Sequence, residues 1–123
     1  MPDEKLIAKP LRFLPAAKRE YDTLPGEVQD VMGHDLWEVQ RGNTPASAKP
    51  LKGLGGGVLE VVDDFDGDTF RAVYTVRLAG AIYVVAAFQK KSKHGIATPK
   101  HLIDTIKDRL KQAEDHHAKH PPA

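Results

Sequence analysis

The sequence predicts an α+β domain, a small antiparallel sheet packed by two N-terminal helices and one C-terminal helix. Two observations carry that expectation: apolar residues recur at helical spacing near both ends of the chain, and between them the period shortens to that of β-strands. A third is length: 123 residues suit one core and one domain spanning 1–123.

In chain order, LIAKPLRFL (6–14) reads as a short edge strand, the setting in which Pro10 is admissible. PAAKREYDTL (15–24) makes a short helix. Thr23 or Leu24 then caps a second helix with Pro25 in its first turn. Val28, Val31, Met32, Leu36 and Val39 form its apolar face, and Gly42 stops it after Arg41. GNTPASAKP (42–50) is loop chemistry. VLEVV (58–62), FRAVYTV (70–76) and AIYVVAAF (81–88) are β-branched and aromatic runs. The turns DFDGD (64–68) and RLAG (77–80) join them into a meander. Thr98 caps the last helix, with Pro99 at its first position and Leu102, Ile103, Ile106, Leu110 and Ala113 buried. The tail HHAKHPPA is expected to be disordered from about residue 117.

Composition narrows the function. A hydrophobic share of 41% and a charged share of 28% fit a globular protein. With no cysteine there is no disulfide and no thiolate, which suits a reducing, cytoplasmic location. MPDEKLIAKP lacks a signal-peptide core, and no apolar run nears the roughly 20 residues of a membrane span, so no membrane partner is expected. A net charge of +1 excludes nucleic-acid binding through general basicity. The charge is segregated, however: Glu60, Asp63, Asp64, Asp66 and Asp68 stand together, while Lys90 to His94 carry only basic groups.

Several motifs lead nowhere. GLGGGV (53–58) opens a strand rather than a helix and lacks the Gly-Lys-Ser/Thr ending, so it is no phosphate loop. DDFDGD lacks the distal glutamate of a calcium loop. His116, His117 and His120 lie in the terminal tail, and His34 reads as a surface residue. No metal and no cofactor are expected.

The signal lies in the strands. Alternation places Arg71, Val73, Thr75 and Arg77 on one face and Phe70, Ala72, Tyr74 and Val76 on the other. A charge at Arg71, mid-sheet, must be paired or open to a cleft, and an ion pair with Glu60 on the neighbouring strand is the structural alternative to a functional role. Lys90, Lys91 and Lys93 project from the end of the third long strand, and Lys49 and Lys52 add charge just before the meander. A guanidinium fork and several ammonium groups at a sheet edge suit phosphate.

KPLKGLGGGVLEVV, DGDTFRAVYTVR and AIYVVAAFQKKSKHGIATP together resemble the RelE/ParE superfamily of bacterial toxins, in particular its phage-derived HigB-like branch. The resemblance implies a compact RelE-like fold whose concave sheet binds messenger RNA on the ribosome and cuts it. It also implies a cognate HigA-like helix-turn-helix antitoxin. Arg71 matches the basic residue that stabilises the cleaved phosphate, and Lys91 and Lys93 match basic residues at the end of the next strand. Two departures stand out. VLEVVDD is acidic where RNA-cutting relatives carry lysines, and no tyrosine follows Tyr83. The implied chemistry is metal-independent attack by the RNA's 2′-hydroxyl on the scissile phosphate. Arg71 clamps the phosphate, Lys91 and Lys93 neutralise charge and are the candidate proton donors, His94 is the candidate base, and Lys49, Lys52 and Lys90 contact RNA. The alternatives are a ParE-like gyrase-binding toxin and a non-toxic phage-derived binding protein.

Overall fold

A computed structural model describes residues 8–90 and 98–122. In order these form β1 (Leu11–Phe13), α1 (Pro15–Asp22), α2 (Gly26–Gln40), β2 (Lys49–Pro50), β3 (Val58–Phe65), β4 (Asp68–Thr75), β5 (Ile82–Lys90) and α3 (Lys100–Lys119). The strands make one five-stranded sheet in the order β1-β5-β4-β3-β2. The expected meander is its centre: β3 pairs antiparallel with β4, and β4 with β5.

The first hairpin turns where the sequence says it must. Asp66 and Gly67 have φ of 53° and 84°, the double positive φ of a type I′ turn, which Asp-Gly favours. At the edges the structure adds detail. β1 runs parallel to β5, and β2 pairs antiparallel with β3 through Lys49↔Glu60 and Pro50↔Leu59. The loop expectation for GNTPASAKP therefore misses β2, since a two-residue strand carries no periodicity. Lysine and proline there suit an edge that must not recruit another strand.

The helix caps differ from expectation. Neither Thr23 nor Thr98 caps a helix; Pro25 and Pro99 occupy the N-cap positions in extended geometry with no side-chain cap. Thr23 instead donates from Oγ1 to the Glu20 carbonyl at 2.7 Å. Val28, Met32, Leu36 and Val39 face the core as expected, but Val31 is 45% exposed. It lies one residue off the stripe, which turns it some 100° around the helix. In α3, Ile106, Leu110 and Ala113 are buried, while Leu102 and Ile103 are only half-buried.

α1 packs along β5 and α2 along β3, while α3 also lies against β5. Tyr83, opposite Thr75, is bonded to His116, so α3 covers the sheet face that carries Thr75, Val73 and Arg71. A bulge interrupts the β4–β5 ladder: Val73 pairs with Ala86 but Tyr74 with Val84, leaving Val85 as the extra residue. Two side chains satisfy the β5 backbone there. Glu20 Oε1 accepts from the Ala87 N–H at 3.1 Å, and Arg109 Nη1 donates to the Val85 carbonyl at 3.0 Å. Arg109 also grips Glu20 with two bonds of 2.7 and 2.8 Å, tying α1 and α3 to the stretch of β5 that leads to Lys90.

The C-terminal tail, expected to be disordered from about residue 117, is helical through Lys119. The reason is tertiary. Arg12 Nη1 donates to the Tyr83 hydroxyl at 2.8 Å and to the His120 carbonyl at 2.6 Å. The hydroxyl also shares a hydrogen bond of 2.6 Å with His116 Nδ1, which a neutral ring unprotonated at Nδ1 accepts from the hydroxyl. Loss of water around the ring, then the charges of His120, Arg12 and His117, hold the His116 pKa below its ordinary value. A folded-state pKa below the unfolded one gives stability that is present above the unfolded value and lost as pH falls through the folded one. Lowering pH from 7.5 to 5 should therefore speed hydrogen exchange in the last turn of α3, relative to α2 and after correction for intrinsic rates. Equal protection at both pH values would contradict this latch.

Candidate functional site

Three charged side chains line up across the three central strands. Glu60 pairs with Val73 and Arg71 with Val62, so Glu60 and Arg71 are diagonal neighbours on one face. Arg71 faces Phe88 on β5 and Thr69 faces Lys90, which makes Lys90 the diagonal neighbour on the other side. All three are covered: Glu60 is 3%, Arg71 7% and Lys90 6% exposed. Lys49 stands directly across from Glu60 at the exposed β2 edge.

Arg71 Nη1 donates to Glu60 Oε2 in a buried ion pair. The ion pair considered from the sequence is thus formed, and the guanidinium is not the free clamp that the functional reading expected. Its hydrogen-bonding capacity is only partly used. Among the described residues, Glu60 Oε1, Arg71 Nε and Lys90 Nζ are buried and have no hydrogen-bond partner. One acceptor and two cationic donors are therefore left open in one cluster. Such groups are costly to bury unpaired, and ligand sites are where that cost is met.

The ionisation of the cluster follows from its burial. Burial pushes the Glu60 carboxyl up, against the opposing pull of Arg71, Lys90 and Lys49. Burial pushes the Lys90 ammonium down, repulsion from Arg71 adds to this, and Glu60 opposes it. The carboxylate becomes the better proton acceptor and the ammonium the better proton donor, the directions a base and an acid need near neutral pH.

The structure thus brings Arg71 and Lys90 together, with Lys49 at the rim. Lys52 is exposed in the turn after β2 and joins no ion pair among the described residues. Lys91, Lys93 and His94 lie outside the described residues. In the sequence Glu60 stands in an acidic run and as an ion-pair partner for Arg71, not as a site residue. Its position in VLEVV, on the same face as Val58 and Val62, was the available signal that this carboxylate is buried beside the guanidinium. Phe88, half-buried, packs against the core rather than offering a stacking platform. Among the described residues no group of three or more histidines and acids is arranged to hold a metal ion, and no helix is long and apolar enough to cross a membrane.

Residues 19–111 match the family described as phage derived protein Gp49-like (DUF891). Among solved structures, the chain is similar to an arginine-to-alanine double mutant of Escherichia coli toxin RelE in the free state. The TM-score is 0.56 at 17% identity, covering 85% of this chain and 97% of that one. It is also similar to the toxin-antitoxin complex RelBE2 from Mycobacterium tuberculosis, with a TM-score of 0.50 at 16% identity, covering 73% of this chain and all of that one. No protein of curated function matches the sequence. The match over most of the chain and the shared sheet and helices lead to one statement: the chain belongs to the phage-derived Gp49-like family and has the α+β fold of RelE-type toxins, the superfamily its strand motifs resemble.

Proposed function

We propose that the chain is the toxin of a type II toxin–antitoxin system and a metal-independent endoribonuclease that cuts messenger RNA on the ribosome. The observation that carries the reading is the set of three buried atoms, Glu60 Oε1, Arg71 Nε and Lys90 Nζ, that have no hydrogen-bond partner among the described residues. It supplies an acceptor for a hydroxyl proton, a donor for a phosphate oxygen and a proton source.

The reaction breaks one P–O bond and forms another. Glu60 takes the proton from the 2′-hydroxyl as its oxygen attacks the phosphorus. Arg71 stabilises the negative charge of the pentacoordinate transition state, a contribution of about 3 kcal/mol for one well-placed donor. The P–O5′ bond breaks and the 5′-oxygen receives a proton from Lys90. The products are a 2′,3′-cyclic phosphate and a 5′-hydroxyl. Lys91 and Lys93, next along the chain, add charge neutralisation, and His94 is a second candidate base with a suitable intrinsic pKa. Lys49 and Lys52 contact the RNA backbone. The protein acts in the cytoplasm as a single domain over 1–123, held in check by a HigA-like helix-turn-helix antitoxin. The antitoxin-bound state of the Mycobacterium tuberculosis neighbour supports such a partner.

One observation favours a second reading. An arginine held by a buried glutamate is what a non-catalytic, ParE-like gyrase-binding toxin would also contain. Two measurements separate the readings. On expression without an antitoxin, translation should fail before DNA synthesis. On ribosomes programmed with messenger RNA, cleavage should yield cyclic-phosphate ends and stop when the nucleotide 5′ of the cut is 2′-deoxy. Earlier failure of DNA synthesis, with intact transcripts, would establish the second reading instead.

A further inference from the structure

The glycine run that the catalytic reading leaves unused has a structural task. Gly55 and Gly57 have φ of 81° and 77°, and a Cβ on either would come within 2.9 Å of Arg77, at Nη1 and Cβ respectively. The loop therefore folds closely around this arginine, which only glycine permits. Arg77 is fixed in turn: Nη1 donates to the Leu54 carbonyl at 2.9 Å and Nη2 to Glu114 Oε2 of α3 at 3.1 Å.

Between this loop and α3 lies an open cleft of about 280 Å³. Leu54 and Leu110 line it, both buried, together with Gly53 and the Arg77–Glu114 pair. Lys107 and Lys111 complete the wall; both are exposed and one helical turn apart. Arg77–Glu114 is internally neutralised, so the two lysines give the cleft a net positive charge. They are compact, mobile point charges of the kind that follows phosphates rather than reading bases.

The cleft shares a sheet face with the catalytic cluster. Arg77 lies two residues past the end of β4 and reaches Glu114 on α3, the helix that covers the face carrying Arg71. We propose that the cleft between loop 53–57 and α3 is a backbone-phosphate subsite for single-stranded RNA, in which Lys107 and Lys111 supply the charge and the glycine-wrapped Arg77 fixes the wall. It extends the reading of the chain as an RNA cutter, and rests on it, by giving the strand a second point of attachment away from the scissile bond. An acidic protein segment could meet the same lysines, but the common face with Arg71 favours RNA.

The test is binding of a 2′-O-methyl RNA oligonucleotide, which cannot be cut by 2′-hydroxyl attack, over a series of salt concentrations. The Lys107→Glu/Lys111→Glu variant should bind at least about 10-fold more weakly at low salt. Its salt slope should shrink by about 1.4, the share of two phosphate contacts on a single strand. Lys100→Glu/Lys119→Glu, with the same charge change at exposed α3 positions outside the cleft, should bind much closer to wild type. Equal weakening in both variants would reduce the effect to general charge and overturn the subsite. So would wild-type affinity and slope in the first variant, whether or not it loses binding to an acidic peptide. The two proposals fail separately. The subsite fails on these binding data alone, whereas the catalytic reading is judged on how the wild-type protein acts on programmed transcripts.

Discussion

Arg71→Ala is expected to abolish growth arrest and to lower stability by about 3 kcal/mol, because it strands a buried carboxylate. The pair itself is no strong source of stability: burial raises the Glu60 pKa even with Arg71 in place. Its removal is costly on one side only. The effect should depend on pH in a definite direction. Without the guanidinium, the folded-state pKa of Glu60 rises further above its unfolded value. Such a group contributes stability that is present below the unfolded pKa and lost as pH rises through the folded one. Urea midpoints should therefore separate wild type and variant more at pH 8 than at pH 5. Adding Glu60→Met should recover most of the lost stability and none of the toxicity. A single variant with a wild-type urea midpoint would show that no buried carboxylate depends on Arg71.

Lys90→Met should move stability and activity in opposite directions. The ammonium is covered, has no hydrogen-bond partner among the described residues, and is disfavoured in its charged form by burial and by Arg71. Methionine keeps the apolar stem and removes the unpaired charge. A gain of about 1 kcal/mol is expected, seen as a melting temperature higher by roughly 4 °C. Cleavage on ribosomes should fall by about 100-fold if Lys90 supplies the leaving-group proton. Stability given up at a functional position leaves this opposed signature. A variant that is both less stable and fully active would mark Lys90 as a structural residue and leave the acid role to Lys91 or Lys93.

The legible parts of the fold are those with local causes. The three long strands announce themselves by β-branched runs, the Asp66-Gly67 turn by its demand for positive φ, and α2 and α3 by spacing. The parts that were missed depend on partners distant in sequence. β2 exists because Lys49 and Pro50 meet β3, and the last turn of α3 exists because Arg12 and Tyr83 hold it. Val31 was misplaced because a stripe of apolar residues is wider in sequence than the face that is buried. In the site, alternation alone placed Arg71 beside Glu60. It could not show that Lys90 is covered on the opposite side.

The sequence by itself determined the order of helices and strands, the meander, the basic end of β5 and the superfamily resemblance, since periodicity, turn chemistry and motif order are properties of neighbouring residues. Only the tertiary structure decided how the charges are used. Strand register set Arg71 diagonally between Glu60 and Lys90, and packing left three of their polar atoms buried without partners among the described residues. The folding of loop 53–57 around Arg77 likewise opened a basic cleft against α3. The physical reason is that register and burial join residues far apart in the chain, and the ionisation and hydrogen-bonding needs of a side chain depend on those neighbours.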